Sequence, residues 1–289
     1  MTMTEKRVLV DIETGEKFDD VVSIRTKQQQ DIIDNEKRKQ AYRDAQGTEK
    51  HPFYFAKMEK VRGADNMLSM KEQGYFLVMQ SYISYENMLK MNNDSKLPMT
   101  KKELAEVLKI KKAHTINALV KKFVDLGLVS EDKAELYGKE YKAFYINKEY
   151  CFRKDVNSRT SVKKTVRVFI DNIKELYAEN KIKPADIGFI YRLIPFVNYH
   201  HNLITANPYE VDASKDKYIT IEQLAEALGM EGKLVSKKVS SLYWGDMAVF
   251  ARIKVGRHTV LKVNPLIIYR QEGYPEPSTY TEFTITRKK

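Results

Sequence analysis

One segment of the chain recurs 120 positions further on. Residues 100–110 read TKKELAEVLKI, and residues 220–230 read TIEQLAEALGM. In the first segment Thr100 stands three positions before Glu103, which is the spacing of a capping box at the start of a helix. A duplicated segment in a chain of 289 residues fits two domains of ordinary size better than one large domain.

The residues after Thr100 predict two helices joined by a tight turn. Alanine at position 105 leaves room for a second helix to cross closely, and Ile110 is expected to plug the turn between them. The second helix is predicted over residues 113–124. Its buried stripe has a spacing of i, i+3, i+4 and i+7 and consists of Ile116, Leu119, Val120 and Phe123.

The opposite face of this second helix is predicted to contact DNA. Small and amide side chains stand near its start and lysines toward its end, which suits base edges and phosphates respectively. Because an asparagine can bridge N6 and N7 of adenine, Asn117 is the best candidate for reading a base. The candidate DNA-binding residues here are Lys112, His114, Thr115, Asn117, Ala118, Lys121 and Lys122.

A β-hairpin is predicted after each helix pair. The first spans residues 135–147 around Tyr137-Gly138, with Lys139 beside the turn, and the second spans residues 249–263. The second copy also repeats the reading helix, over residues 233–243. Its candidate DNA-binding residues are Lys233, Ser236, Lys237, Lys238 and Ser240, with Arg257 and His258 at the hairpin tip.

This layout resembles the winged helix-turn-helix superfamily, over residues 67–150 and again over residues 186–270. It is also similar to phage and plasmid regulators and to plasmid replication initiators with tandem winged helices. The resemblance implies a mainly α fold with small β-hairpins (α+β), organised as two tandem winged helix-turn-helix domains.

The expected division of the chain follows from composition and periodicity. A long helix is predicted over residues 67–89 and another over 166–178, and an insertion in the second copy is placed within residues 205–218. The predicted regions are a polar segment with a hairpin and a helix (1–50), a first domain (51–152), a basic linker (153–165), a second domain (166–272) and a flexible basic tail (273–289).

Charge and cysteine content restrict the class of protein. The formal net charge is +11, and residues 1–50 are nearly neutral, so the excess lies in the repeat-bearing part and favours a polyanionic partner. Cys151 is the single cysteine, and no apolar run reaches the length of about 18 residues that a membrane span needs. We expect a cytoplasmic, nucleoid-associated protein that does not bind membranes.

Catalytic chemistry is not predicted. The sequence has no P-loop, and it lacks both the His-x-His element of nicking enzymes and the His-x-x-Arg element of tyrosine recombinases. His200 and His201 are adjacent, so on a helix they would point about 100° apart and make poor joint metal ligands. We therefore expect no enzyme activity, no metal and no cofactor.

The sequence thus predicts a sequence-specific protein for double-stranded DNA that acts by occupancy, with two reading helices about 10 bp apart. A transcription regulator of phage or plasmid type is the first hypothesis. The alternatives are a replication initiator or partition-type protein that binds repeated sites, and a protein–protein adaptor. A homodimer and a protein partner bound through residues 1–50 both stay open.

Overall fold

The computed structural model describes residues 9–10, 12–18, 30, 51–64, 66–153, 164–256, 258–271 and 273–284. The chain divides into two units, residues 1–48 and 49–289, and each is considered by itself. In the first unit, strands β1 (Leu9–Val10) and β2 (Lys17–Phe18) pair antiparallel, which confirms the predicted hairpin. The helix expected in the rest of residues 1–50 lies outside the described residues apart from Gln30, which is helical.

The second unit begins with one series of helices and strands that is then repeated. The first series comprises β3 (Phe53–Lys57), α1 (Met58–Ala64), α2 (Met70–Gln80), α3 (Lys101–Val107), α4 (Ala113–Asp125), β4 (Val129–Leu136), β5 (Lys139–Ile146) and β6 (Cys151–Phe152). The long helix predicted over residues 67–89 is therefore too long. It ends at Gln80, because the chain then forms a bridge between Ile83 and Leu89 through Asn87, whose φ is +65°.

The second series has the same order with a short additional ribbon. It comprises β7 (Thr165–Phe169), α5 (Ile170–Ala178), α6 (Pro184–Leu193), α7 (Ile221–Ala227), α8 (Gly232–Ser241), β8 (Tyr243–Trp244), β9 (Met247–Ala248), β10 (Phe250–Val255), β11 (His258–Val263) and β12 (Ile268–Tyr269). The helix predicted over residues 166–178 is wrong in its first part, where the chain is strand β7. Both predicted hairpins form, as β4–β5 and β10–β11, but the first begins at Val129, six residues before its predicted start.

A four-stranded antiparallel sheet joins the two series, in the order β12-β7-β3-β6. The two central strands come from different halves of the unit, and Phe55 on β3 lies opposite Arg167 on β7. The same core cluster contains buried residues of both halves, from Tyr54 to Ile268. The expected fold class is therefore wrong. The protein is an α+β mixture, 38% helix and 24% strand, and its halves are built into one sheet rather than arranged as two tandem winged-helix domains.

The pairing of β3 with β7 relates the two halves by an approximate twofold axis. Phe53 pairs with Phe169, and Lys57 pairs with Thr165. With an offset of 112 between the repeats, Phe53 is equivalent to Thr165 and Lys57 is equivalent to Phe169. Exchanging the two halves therefore converts one pair into the other. A local twofold axis of an antiparallel pair is perpendicular to the sheet. Both repeats therefore extend from the same face of the sheet.

Two glycines allow the central helices to cross at backbone contact. A Cβ atom added to Gly74 on α2 would lie 1.7 Å from the carbonyl oxygen of Pro184, and one added to Gly188 on α6 would lie 1.7 Å from the carbonyl oxygen of Met70. The two contacts are related by the same twofold axis. No side chain larger than hydrogen fits at either position.

A buried asparagine recurs in each half and fixes the alignment of the repeats. Asn87 donates from Nδ2 to the carbonyls of Ile146 and Cys151, and Asn202 donates from Nδ2 to the carbonyls of Val263 and Ile268. Their φ angles are +65° and +59°. The repeats are therefore offset by 115 positions here, which makes Ile204 the counterpart of Leu89.

Candidate nucleic-acid interface

The first helix pair forms as its sequence predicts. The hydroxyl of Thr100 accepts from the backbone N–H of Glu103, and the Glu103 carboxylate accepts from the N–H of Thr100, which completes a capping box at the start of α3. Leu104 and Leu108 are buried, and Ile110 is 9% exposed in the turn between α3 and α4. The predicted plug is confirmed.

The turn of this pair is tied to the other half of the unit. Lys109 adopts a φ of +55°, which is uncommon for a residue with a side chain. Its ammonium group donates to the carbonyls of Tyr177 and Ala178 at the end of α5, where a cation is favoured by the helix dipole. The Tyr177 hydroxyl in turn donates to the carbonyl of Leu108 at 2.8 Å. These bonds hold α3 and its turn in a fixed position.

Helix α4 has the predicted buried and exposed faces. Its buried residues are Ile116, Leu119, Val120 and Phe123. On the opposite face, Thr115 is half-buried, and the exposed candidates are Lys112, His114, Asn117, Ala118 and Lys121. Small side chains at positions 113, 115 and 118 leave the helix backbone accessible, and one cation stands near each end of this face. Such a surface can enter a major groove without a bulky obstruction.

The second pair repeats this arrangement with different side chains. A second capping box joins Thr220 to Gln223 at the start of α7, and Gly229, with a φ of +61°, occupies the position of Lys109 in the turn. Val235 and Val239 are buried on α8. Lys233, Lys237 and Ser240 are exposed candidates on the other face, and Ser236 is half-buried.

Two of the predicted DNA-binding lysines form ion pairs with carboxylates of the same chain. The Nζ atom of Lys122 lies 2.8 Å from the carboxylate of Glu72 on α2, and that of Lys238 lies 2.7 Å from Asp186 on α6. These pairs occupy equivalent places in the two halves. Burial tends to raise the pKa of Glu72, but the hydrogen bonds from Lys122 and Ser69 outweigh it, so the pKa is lowered. Both lysines hold the reading helix against the central helix crossing.

The first hairpin carries an exposed aromatic residue at its tip. Tyr137 and Gly138 both have positive φ, +54° and +69°, as a two-residue type I′ turn requires. Tyr137 is 73% exposed, and Lys139 beside it is also exposed. The adjoining strands pair their own charges, since Lys133 lies 2.7 Å from Glu140 and Lys142 contacts Glu131. The free positive charge of this hairpin is therefore small.

The second hairpin contributes a cation that sequence reasoning missed. The guanidinium of Arg252 on β10 donates to the hydroxyls of Ser236, at 2.8 Å, and Ser240, at 3.3 Å. Arg252 thus joins Lys233 and Lys237 beside the exposed face of α8. The alternation of side chains along β10 predicts that Arg252 points away from the core. The sequence does not show that α8 lies on that side of the strand. At the hairpin tip, Arg257 lies outside the described residues, and only the backbone of His258 is described.

No protein-family model matches the sequence, and no curated protein or solved structure matches it either. In the described ranges, no helix combines the length and apolar character that a membrane span requires. The same ranges contain no group of three or more His, Cys, Asp or Glu side chains arranged to hold a metal ion.

Replacing Lys238 with methionine tests its structural role. Lys238→Met should lower the free energy of unfolding by about 2 kcal/mol, because it leaves the partly buried Asp186 carboxylate without its cation. The same change at Lys215, which pairs with Asp212 at the surface, should cost less than about 0.5 kcal/mol. Urea denaturation measures both. Equal effects of the two substitutions would show that the Lys238 pair does not anchor α8.

Proposed function

We propose that this protein binds double-stranded DNA sequence-specifically, with α4 and α8 as its reading helices. The observation that carries the proposal is the pair of exposed faces. Each lies on the second helix of a tightly turned pair, each is backed by a buried apolar stripe, and each combines small or polar side chains with lysine. Base edges are recognised by such polar groups, and phosphates by the lysines.

The twofold relation of the halves predicts how the target is organised. Because β3 and β7 pair about a local axis perpendicular to the sheet, α4 and α8 are related by rotation rather than translation. Two reading helices that are related by a twofold axis match half-sites in inverted orientation. The side chains on the two faces differ, so the half-sites should differ in sequence. A single chain is thus suited to an imperfect inverted repeat, bound in one orientation.

Selection of bound sequences from random duplexes, at physiological salt, tests this organisation. We expect two half-sites in inverted orientation whose centres are about 10 bp apart, occupied by one chain as measured by sedimentation. Enrichment of a direct repeat would contradict the dyad arrangement while leaving DNA binding intact. If no sequence is enriched over competitor DNA, the proposed function is wrong and a protein-binding adaptor becomes the better hypothesis.

Occupancy of such a site fits a transcription regulator, our first hypothesis for its role, and equally a replication initiator. Neither role requires catalytic residues in this protein. Footprinting on the DNA that surrounds the coding region distinguishes them: protection across a promoter supports regulation, and protection of several repeated sites at an origin supports initiation.

A further inference from the structure

A cavity of about 190 Å³ lies between the end of α2 and helix α5, away from the faces of α4 and α8 described above. Its wall includes the loop after α2 and the start of α5. Three cationic side chains line it, namely Lys90, Arg153 and Lys174, together with the amides of Asn92 and Asn93. The carboxylates of Asp94 and Asp171 also line it, so the lining carries a net charge of about one positive unit.

Lys174 is the most informative of these cations. Its Nζ atom lies 4.4 Å from the centroid of the Tyr82 ring, and no carboxylate of the described residues is within ion-pair distance. Burial lowers the pKa of Lys174, the nearby Asp171 raises it, and Arg153 lowers it further. A desolvated ammonium group beside a second cation is stabilised when an anion binds between them.

Arg153 provides a rigid wall next to this lysine. It is 4% exposed, its Nη1 atom donates to the carbonyl of Ile83 at 3.0 Å and to the side chain of Asn93, and its guanidinium stacks 4.6 Å from the Tyr85 ring centroid. A guanidinium held in this way has a fixed orientation. Fixed cations bind oxyanions at a smaller entropic cost than mobile ones.

In the other half of the unit, the cations equivalent to Lys174 and Arg153 lie near a tyrosine. Arg62 corresponds to Lys174 and lies 5.5 Å from the ring of Phe196, the counterpart of Tyr82. Arg270 corresponds to Arg153, and its guanidinium lies 5.3 Å from the ring of Tyr209. Burial raises the pKa of Tyr209 and the nearby Glu59 carboxylate raises it further, while Arg62, Arg270 and Lys164 are close enough to lower it.

Tyr209 stands where the first half has Asp94. Asn207 and Asn92 are equivalent under the offset of 115, and Pro208 and Asn93 accept from the equivalent arginines. Tyr209 belongs to the segment that was predicted from sequence to hold an insertion, residues 205–218. The second half thus has an aromatic ring beside its two equivalent arginines, where the first half has a carboxylate lining the open cavity.

We propose that the open cavity of the first half binds a phosphate group. Its volume is below the 300 Å³ or more of typical drug-sized sites, and its three cations and two amides suit a compact oxyanion with several acceptor oxygens. The phosphate belongs either to a free phosphate or to a nucleic-acid backbone. This site does not depend on the proposed reading of DNA by α4 and α8.

Inorganic phosphate is the probe, added to the full-length chain at constant ionic strength with chloride as the reference anion. The wild-type protein should show a saturable rise in Tm, because a ligand of the folded state stabilises it. Lys174→Gln should weaken the apparent Kd at least tenfold. The matched substitution Lys181→Gln, at an exposed lysine outside the cavity, should leave the response unchanged.

Asp94→Tyr gives a second and independent test, since it introduces the aromatic side chain that the other half has at this position. Removing a carboxylate would by itself strengthen anion binding, so a loss of the phosphate response in this variant reports closure of the cavity. Asp94→Asn removes the charge without filling the space and should bind phosphate more tightly than wild type.

Two results would overturn the site: no saturable response of the wild-type protein to phosphate, or an undiminished response in both Lys174→Gln and Asp94→Tyr. Duplex affinity of the Asp94→Tyr variant then identifies the source of the phosphate. A loss of fivefold or more assigns the cavity to the nucleic-acid backbone, and unchanged affinity assigns it to a free phosphate.

Discussion

Substitution of Gly74 by alanine is expected to unfold the protein or to lower its free energy of unfolding by more than about 4 kcal/mol. The added Cβ would lie 1.7 Å from the Pro184 carbonyl oxygen and 2.9 Å from the Gly188 nitrogen. These are backbone atoms of α6, so no side chain can move aside. Helices α2 and α6 would have to separate, and both pack in the core shared by the two halves. Guanidinium denaturation followed by circular dichroism measures the effect.

Gly63 provides the matched control. It also lies within a helix, α1, and an added Cβ would meet no atom within 4 Å. Gly63→Ala should therefore stabilise the protein, by up to about 1 kcal/mol, through the higher helix propensity of alanine. If Gly74→Ala were tolerated as well as Gly63→Ala, the two central helices would not be in backbone contact.

Local features of the sequence were sufficient to predict the helix pairs and the hairpins. The capping boxes that start at Thr100 and Thr220 each involve two residues three positions apart. The buried stripe of α4 extends over two helical turns. Both features are therefore determined by residues that are close in sequence. The Tyr137-Gly138 turn is equally local. Repetition of these signals 120 positions apart correctly indicated that the chain has two similar halves.

The joining of those halves could not be predicted in the same way. Strands β3 and β7 are separated by more than 100 residues, and no local pattern records their register. Residues 165–169 form a strand that is buried throughout and so shows no alternation, and the spacing of Val168, Phe169, Ile173 and Leu176 favoured a helix over the whole of 166–178. Because the shared sheet was missed, the halves were expected to be tandem domains instead of one packed body.

The same limit applies to the candidate interface. Periodicity correctly placed Lys122 and Lys238 away from the buried stripe, but it cannot show a carboxylate about 50 positions earlier in the chain that binds each of them. It also could not bring Arg252, on a hairpin strand, next to Ser236 on α8. The residues proposed to contact DNA therefore now include Arg252. We assign to Lys122 and Lys238 the role of holding the reading helices in position.

Reversing the charge of Lys121 and Lys237 together should lower duplex affinity on the order of a hundredfold at physiological salt. Both side chains are exposed on the faces of α4 and α8, and neither is required for the buried stripes, so folding should persist. Each reversal removes one expected phosphate contact and adds a repulsive charge. The slope of log affinity against log salt concentration should become shallower by about two. Fluorescence anisotropy over a salt series measures both quantities.

A double variant with the same change in net charge separates this interface from a general effect of charge. Lys148→Glu with Lys181→Glu reverses two exposed lysines that lie outside the helix pairs and the hairpins. Because long-range effects are screened over about 8 Å at physiological salt, this control should lose less than about threefold in affinity. Equal losses in the two double variants would mean that DNA is attracted by the overall positive charge of the protein, and that α4 and α8 do not read it.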